Sequence, residues 1–390
     1  MELAARVAHM RGDAGNGWGI LFRAREMIAA GESVVMLSIG EPDVKTDPAI
    51  LAAMAQSAAN GHTGYPDIAG TMALRAQIAA RVQARSGVPT RPENVLVTPG
   101  GQSALFSAHS VLLDPGQAGL FVAPYYATYP GTIRSTGAEA RVIEARAEAG
   151  FQPAEADILA ASAGARTLLI NSPNNPTGVI YSDATLRGIA RACQAADLWL
   201  ISDEVYDTQV WQGQFQSPRA LPGMAERTVV LGSLSKSHAM TGSRIGWMIA
   251  PEPVIAAALE LAINTTYGVP GFIQDAALFA LRQGTAFEAA VAAPFHRRRD
   301  IAKAVLSGSQ ALRLIPPAGA MYVMADIRPT GLSGDAFAAR LLEEHKICVM
   351  PGESFGAAAA GHIRIALTQA DAVLEGALRV LRGFAEAQMP

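Results

Sequence analysis

Between residues 94 and 250 the sequence repeats one alternation: a short apolar run, a turn rich in Gly, Pro, Asn or Ser, then a longer stretch with helical spacing. The apolar runs fall at 94–98, 119–123, 140–144, 167–171, 198–203, 228–232 and 245–250, and most are apolar at successive positions rather than at every second one. A strand with one wet face alternates, whereas a strand apolar throughout must be covered on both faces. Helical patterns such as 183–196 fill the intervals. Strand–helix alternation on this scale predicts an α/β fold, with a mainly parallel seven-stranded sheet flanked by helices.

After Pro294 the rhythm changes. A helix is expected from about residue 295, strands near 321–326, 347–350 and 362–366, and a terminal helix from about residue 370. These read as a smaller α+β unit completed by the N-terminal segment. At 390 residues the chain has room for two domains. The expected division is a large domain over 46–293 and a small domain from 1–45 with 294–390.

Half the residues are hydrophobic and 17% are charged, which suits a packed globular core. With a formal net charge of −3 and no basic tract, nucleic-acid binding is not expected. The densest cationic cluster, Arg297-Arg298-Arg299, reads as a solvated helix face. Cys193 and Cys348 share no CxxC spacing and read as buried reduced thiols, and no metal site is expected. The first residues carry no cationic start before an apolar run, and no apolar stretch reaches the ~20 residues of a membrane span. A soluble, cytoplasmic protein without membrane contact is the expectation.

Chemistry concentrates at the ends of the predicted strands. Ser233-Leu234-Ser235-Lys236-Ser237-His238 follows the run 228–232, with Arg244 further on. A lysine there can form an imine with an aldehyde, and an arginine with a serine suits a phosphate. Read alone, it is equally a surface lysine in a Ser-rich loop. Asp203 closes the run 198–203, where it can pair with a buried cation or cap a helix. Tyr206 follows it and can donate to a ring oxygen. Asn174-Asn175-Pro176-Thr177-Gly178 is either a Pro-containing turn or a device that places the Asn175 amide. Gly100-Gly101-Gln102-Ser103 follows the run 94–98 and opens a helix, where backbone N–H groups can meet a phosphate. Neither GxGxxG nor GxxxxGK[ST] is present there, which argues against a nucleotide-binding protein.

Together NNPTG, SDEVY and SLSKSHAMTGSR, in this order, resemble the fold type I pyridoxal 5′-phosphate-dependent aminotransferases of classes I and II, the aspartate aminotransferase-like enzymes, over essentially the whole chain. The resemblance implies a double-displacement transamination and pyridoxal phosphate as cofactor. It implies Lys236 as the Schiff-base lysine and proton shuttle, Asp203 as partner of the pyridine nitrogen, and Asn175 and Tyr206 as partners of the ring oxygen. Gly101, Gln102, Ser233 and Arg244 fall on the phosphate cradle. Tyr126 falls on the ring-stacking aromatic, with Tyr125 one residue away. Arg364 and Gly40 fall on the site of the substrate α-carboxylate. Tyr65 falls on a tyrosine that reaches the phosphate of a neighbouring subunit, which implies a homodimer with shared sites.

For the substrate, residues 264–270 lack the arginine by which the aspartate-selective branch holds a side-chain carboxylate, so strict dicarboxylate specificity is not expected. The runs SLSKSHAMTG, YGVPGFIQDAA, ADIRPTGLS and AAAAGHIRIAL resemble arginine–pyruvate transaminases, implying arginine or another non-dicarboxylic donor and pyruvate or 2-oxoglutarate as acceptor. Glu41, Asp43 and Glu353 are unranked candidates to meet a guanidinium. Ser243 is a small residue beside the lysine loop. Trp18 caps the substrate site or serves packing. A carbon–sulfur β-lyase on the same scaffold is the alternative activity. An aminotransferase-like sensor module is a remote one.

Overall fold

The computed structural model describes residues 5–10 and 18–389; residues 1–4, 11–17 and 390, which belong to the expected small domain, lie outside it. All seven predicted runs join one sheet. In spatial order its strands are Val95–Thr98, Gly246–Ile249, Thr228–Ser233, Trp199–Asp203, Ala165–Asn171, Ala118–Ala123 and Glu139–Glu144. Gly246–Ile249 runs antiparallel to both neighbours and the other pairings are parallel.

The continuous apolar runs have the cause their pattern implied. Leu96, Leu169, Ile201, Leu231 and Met248 face the helices Gly101–Leu112 and Glu252–Ile263. Their chain neighbours Val97, Val230, Trp247 and Ile249 pack under Pro48–Ala59, Met72–Ser86 and Gly271–Arg282. Leu168, Ile170 and Leu200 meet Asp183–Ala195 on that same side. Each such aliphatic side chain removed from water contributes roughly 1.5–3 kcal/mol, so both parities of the inner strands are held, while the edge strand Glu139–Glu144 fully buries only Ile143. Helix starts are marked locally: Asp47 accepts from Ala49 N at 2.7 Å ahead of Pro48, and Ser182 accepts from Thr185 N at 3.1 Å.

The C-terminal part forms a four-stranded antiparallel sheet in the order Met350–Pro351, His362–Ala366, Tyr322–Asp326, Arg313–Leu314. The N-terminal strand Val35–Met36 pairs with Ile347–Cys348, and the helix Trp18–Ala29 packs Ala24 and Met27 against Leu342 and Cys348.

Three expectations are corrected. The helix expected from residue 295 starts at Gly284 and runs unbroken through Pro294 to Leu306, because burial of Val291, Ala292 and Phe295 outweighs one missing N–H. The strand expected at 347–350 is two short pieces in different sheets. The arginine triplet is no solvated face. Arg298 is buried, with paired bonds of 2.6 and 2.7 Å to Asp43 and a third to Asp371, while Arg299 is buried beside Asp300 and only Arg297 is exposed. Cys193 and Cys348 are buried free thiols as expected, and burial pushes the Cys193 thiol up to about 12. Among the described residues no helix is long and apolar enough to cross a membrane, and no group of His, Cys, Asp or Glu could hold a metal ion.

Candidate active site

A cavity of about 380 Å³ opens where the carboxyl ends of the sheet strands face the C-terminal part. Parallel strands place their following loops at one edge, so motifs distant in sequence converge there.

The first wall is a cradle made of absences. Gly100 has φ +82°, ahead of the helix Gly101–Leu112, and a Cβ on it would meet the Arg244 guanidinium. A Cβ on Gly246 would strike the Gly100–Gly101 backbone, so the helix end, the antiparallel strand and the arginine pack without side chains between them. Arg244 is held at φ +49°, a conformation L side chains seldom adopt. It donates to Thr241 O at 2.9 Å and has no acidic partner among the described residues. A cation beside helix N–H groups suits an anion. Gln102 lines the same wall and accepts from Thr128 Oγ1 at 3.1 Å. Ser233 lines it too, but its hydroxyl accepts from Ser235 N at 3.0 Å and donates to Ile245 O at 3.1 Å.

At the floor, Asp203 ends its strand. Tyr129 donates to its Oδ2 at 2.6 Å and Val205 N donates to Oδ1 at 3.3 Å. Burial pushes the carboxyl above its ordinary value, against the pull of those donors and of Lys236. It has no ion-pair partner among the described residues, so a cationic group entering the cavity would find its complement there. Lys236 lies on the short helix Leu234–Ser237 and donates to Gly40 O. Burial pulls it down to about 8, with Arg364 and Arg244 pulling the same way and Glu41 opposing. A fraction of it, on the order of a tenth at pH 7, is therefore neutral amine and so nucleophilic.

The opposite wall centres on Arg364, buried on the strand His362–Ala366. It donates to Asn175 Oδ1 at 2.9 Å and to Ser38 O, lies 4.5 Å from the Tyr322 ring centre and 4.6 Å from that of Phe355, and leaves Nε without a partner. No carboxylate pairs with it among the described residues. A desolvated guanidinium without a counter-ion is costly, and a substrate carboxylate supplies what is missing. Asn175 is held by Asn171 Oδ1, 2.7 Å from its backbone N, and its Nδ2 has no acceptor among the described residues. Tyr206 Oη lies 3.0 Å from Tyr322 Oη.

Other expected residues sort cleanly. Tyr126 lines the cavity, whereas Tyr125 packs edge-on against Phe121 at 4.9 Å. Gly40 has no room for a side chain because the Tyr322 hydroxyl occupies the position of its Cβ. Trp18 lines the cavity with Leu21, and Ser243 does not. Tyr65 is not brought to the cavity: it is 90% exposed, edge-on to Tyr267 with ring centres 5.2 Å apart. Of the three candidate carboxylates only Glu41 lines the cavity, where it accepts from Thr241 Oγ1 at 3.2 Å. Asp43 is taken by Arg298, and Glu353 accepts from the backbone N–H groups of Gly334 and Gly361. Tyr129 and Tyr322 were missed. The only hint of the first was the aromatic run Tyr125-Tyr126 close before it, and nothing local marked the second.

A cradle for an anion, a buried carboxylate lacking a cation, a partly neutral lysine and a buried cation lacking an anion fit pyridoxal phosphate and an amino acid together. The comparisons agree. The family model "Aminotransferase class I and II" matches residues 32–381. The chain is 43% identical to the arginine–pyruvate transaminase AruH of Pseudomonas aeruginosa over 94% of this chain and 93% of that one. It is 35% identical to the aspartate/prephenate aminotransferase of Thermus thermophilus, over 91% and 92%. The solved aspartate aminotransferase of Thermus thermophilus with maleate superposes with a TM-score of 0.91 at 33% identity, covering 98% of this chain and 99% of that one. The chain belongs to the class I and II aminotransferases, pyridoxal-phosphate-dependent enzymes that carry an amino group from an amino acid to a 2-oxo acid.

Proposed function

We propose that Lys236 bears the cofactor and moves the proton, and that Arg364 holds the α-carboxylate of an arginine or another non-dicarboxylic donor. The observation that carries this is the cavity's unbalanced charge: a buried cation without an anion faces a buried carboxylate without a cation across a lysine. Bound pyridoxal phosphate supplies an aldehyde that accepts primary amines and a protonated ring that draws charge from the carbon losing its proton. On this reading Asp203 keeps the ring nitrogen protonated, while Asn175 and Tyr206 address the ring oxygen and Tyr126 lies against the ring face. Gly101, Gln102, Ser233 and Arg244 hold the phosphate, which requires the Ser233 hydroxyl to turn from Ile245 O. Arg364 and the confined backbone at Gly40 would fix the substrate so that its Cα–H bond faces Lys236 Nζ; released from the cofactor when the donor's amino group takes its place, that amine would take the proton and return it two atoms along, on the far side of the nitrogen. Fixing both reactants before the transfer removes much of the entropic barrier.

The donor assignment is supported by the 43%-identical arginine–pyruvate transaminase and by Glu41, which lines the cavity apart from the role given to Asp203 and forms no ion pair among the described residues. The acceptor on this reading is pyruvate or 2-oxoglutarate. We place the enzyme in the cytoplasm as a homodimer in which Tyr65 completes the partner's phosphate site. A tyrosine 90% exposed beside a second exposed tyrosine supports that contact. The division into residues 46–293 and 1–45 with 294–390 belongs to the same reading.

Borohydride reduction of the cofactor-loaded protein, followed by peptide mass mapping, tests the assignment of Lys236. The pyridoxyl mass is expected on the peptide holding Lys236, and its recovery on another lysine contradicts the proposal.

A further inference from the structure

Tyr322 has no part in the roles assigned above, yet it touches three residues that have one, Tyr206, Arg364 and Gly40. It opens the strand Tyr322–Asp326 of the four-stranded sheet and is 2% exposed. Its hydroxyl lies 3.0 Å from that of Tyr206, which follows the Trp199–Asp203 strand of the other sheet. Its ring lies 4.5 Å from the Arg364 guanidinium carbon. The same hydroxyl fills the space where Gly40 would carry a Cβ, and Gly40 O receives Lys236 Nζ.

A phenol has one proton to give, so only one of the two phenolic protons can lie between these oxygens. If Tyr206 donated to Tyr322, it would have nothing left for the cavity. Tyr322 has no other hydrogen-bond partner among the described residues, so nothing competes for its proton. An oxygen acceptor placed before Tyr206 therefore sets the direction of the chain: Tyr322 donates to Tyr206, and Tyr206 donates into the cavity. A donor that itself accepts a hydrogen bond is polarised and strengthened, the more so where water is excluded, and Tyr206 is only 4% exposed. Burial holds Tyr206 well above its ordinary value, so it remains a donor throughout the working range.

We propose that Tyr322 is a positioning residue with two separable tasks: through its hydroxyl it directs and strengthens Tyr206 as a donor to the cofactor's ring oxygen, and through its ring it holds Arg364 in register for the carboxylate. The first task rests on the reading that Tyr206 faces the ring oxygen. The second rests on the reading that Arg364 grips the carboxylate and on the Arg364 guanidinium lying over the Tyr322 ring.

Tyr322→Phe removes the first task and keeps the second, whereas Tyr322→Leu removes both. The pH midpoint of the visible absorbance of the cofactor-loaded protein reports on the donor, because a donor to an oxyanion favours the deprotonated state. Tyr322→Phe is expected to raise that midpoint by about half a unit or more, with Tyr206→Phe raising it further. In Tyr322→Phe, kcat is expected to fall roughly three- to tenfold with donor KM within about twofold of wild type. Tyr322→Leu is expected to raise KM by a further roughly tenfold. A midpoint that moves in Tyr206→Phe but not in Tyr322→Phe overturns the hydroxyl relay and leaves the Tyr206 reading standing. A midpoint that moves in neither overturns both. A KM for Tyr322→Leu equal to that of Tyr322→Phe overturns the second task.

Discussion

The two ends of the cavity bury opposite charges and settle them differently. At the floor, Asp203 is surrounded by donors: the Tyr129 hydroxyl at 2.6 Å and the Val205 N–H. At the far wall, Arg364 is surrounded by acceptors and aromatic faces: Asn175 Oδ1, Ser38 O, and the rings of Tyr322 and Phe355. In neither case does a described residue form an ion pair with it. Contrast this with Asp207 and Glu288, a short way behind the cavity, which are buried against Arg81 and Arg85 in a closed set of ion pairs. A structural cluster closes its own charges, whereas a binding site leaves them open for the ligand.

That contrast breaks most visibly if the two open ends are not independent. On the proposed roles Arg364→Leu lowers kcat/KM for every amino donor by ~10³-fold, the scale of a lost buried charge pair, while cofactor affinity stays within a few-fold. Asp203→Asn does the reverse, weakening cofactor binding and lowering kcat by ~10²–10³-fold with a smaller change in donor KM. Both are read by steady-state kinetics and by cofactor titration of the stripped protein. Equal loss of cofactor affinity in the two variants would merge the ends and contradict the separation.

A smaller effect sharpens the donor side. Glu41→Gln is expected to reduce kcat/KM for arginine by roughly tenfold and for alanine by less than about twofold, because only the former brings a cation to the rim. Uniform change across donors would show that Glu41 acts on Lys236 rather than on the substrate.

The smallest effect concerns Lys236 in the cofactor-free protein. Its folded value, about 8, lies below its unfolded value near 10.4. The unfolded chain therefore holds the extra proton between those limits, and stability contributed through this group rises as pH increases across that window. Glu204, raised to about 8 by burial, acts in the opposite sense at lower pH. The comparison is therefore the gap between wild type and Lys236→Met, which should shift in favour of wild type from pH 7.5 to pH 9.5 in denaturant titrations.

Much of the scaffold was legible because its cause is local. A strand covered on both faces must be apolar at successive positions, and six of the seven runs obeyed that rule; the edge run 140–144, in which only Ile143 is buried, does not. The pieces that escaped, such as Val35–Met36 and Arg313–Leu314, are two residues long and carry no periodicity. Arg298 looked like solvent-facing charge because its partner Asp43 is 255 residues away. The site divides in the same way. Lys236, Asp203, Asn175 and Gly101 sit at or within a few residues of strand ends, where composition and position mark them. Tyr129 and Tyr322 act on groups 74 and 116 residues distant, and a tyrosine in an apolar stretch looks like core until its hydroxyl's neighbour is known.

The most direct test of the account is an absorbance titration of the purified, cofactor-loaded protein with a panel of L-amino acids, arginine among them, in the absence of any acceptor. The account predicts that arginine or another non-dicarboxylic donor converts the visible band to that of the amine form of the cofactor, releasing one equivalent of 2-oxo acid and no ammonia, and that pyruvate or 2-oxoglutarate restores the band. Release of pyruvate and ammonia beyond one equivalent, with the band persisting, would contradict it.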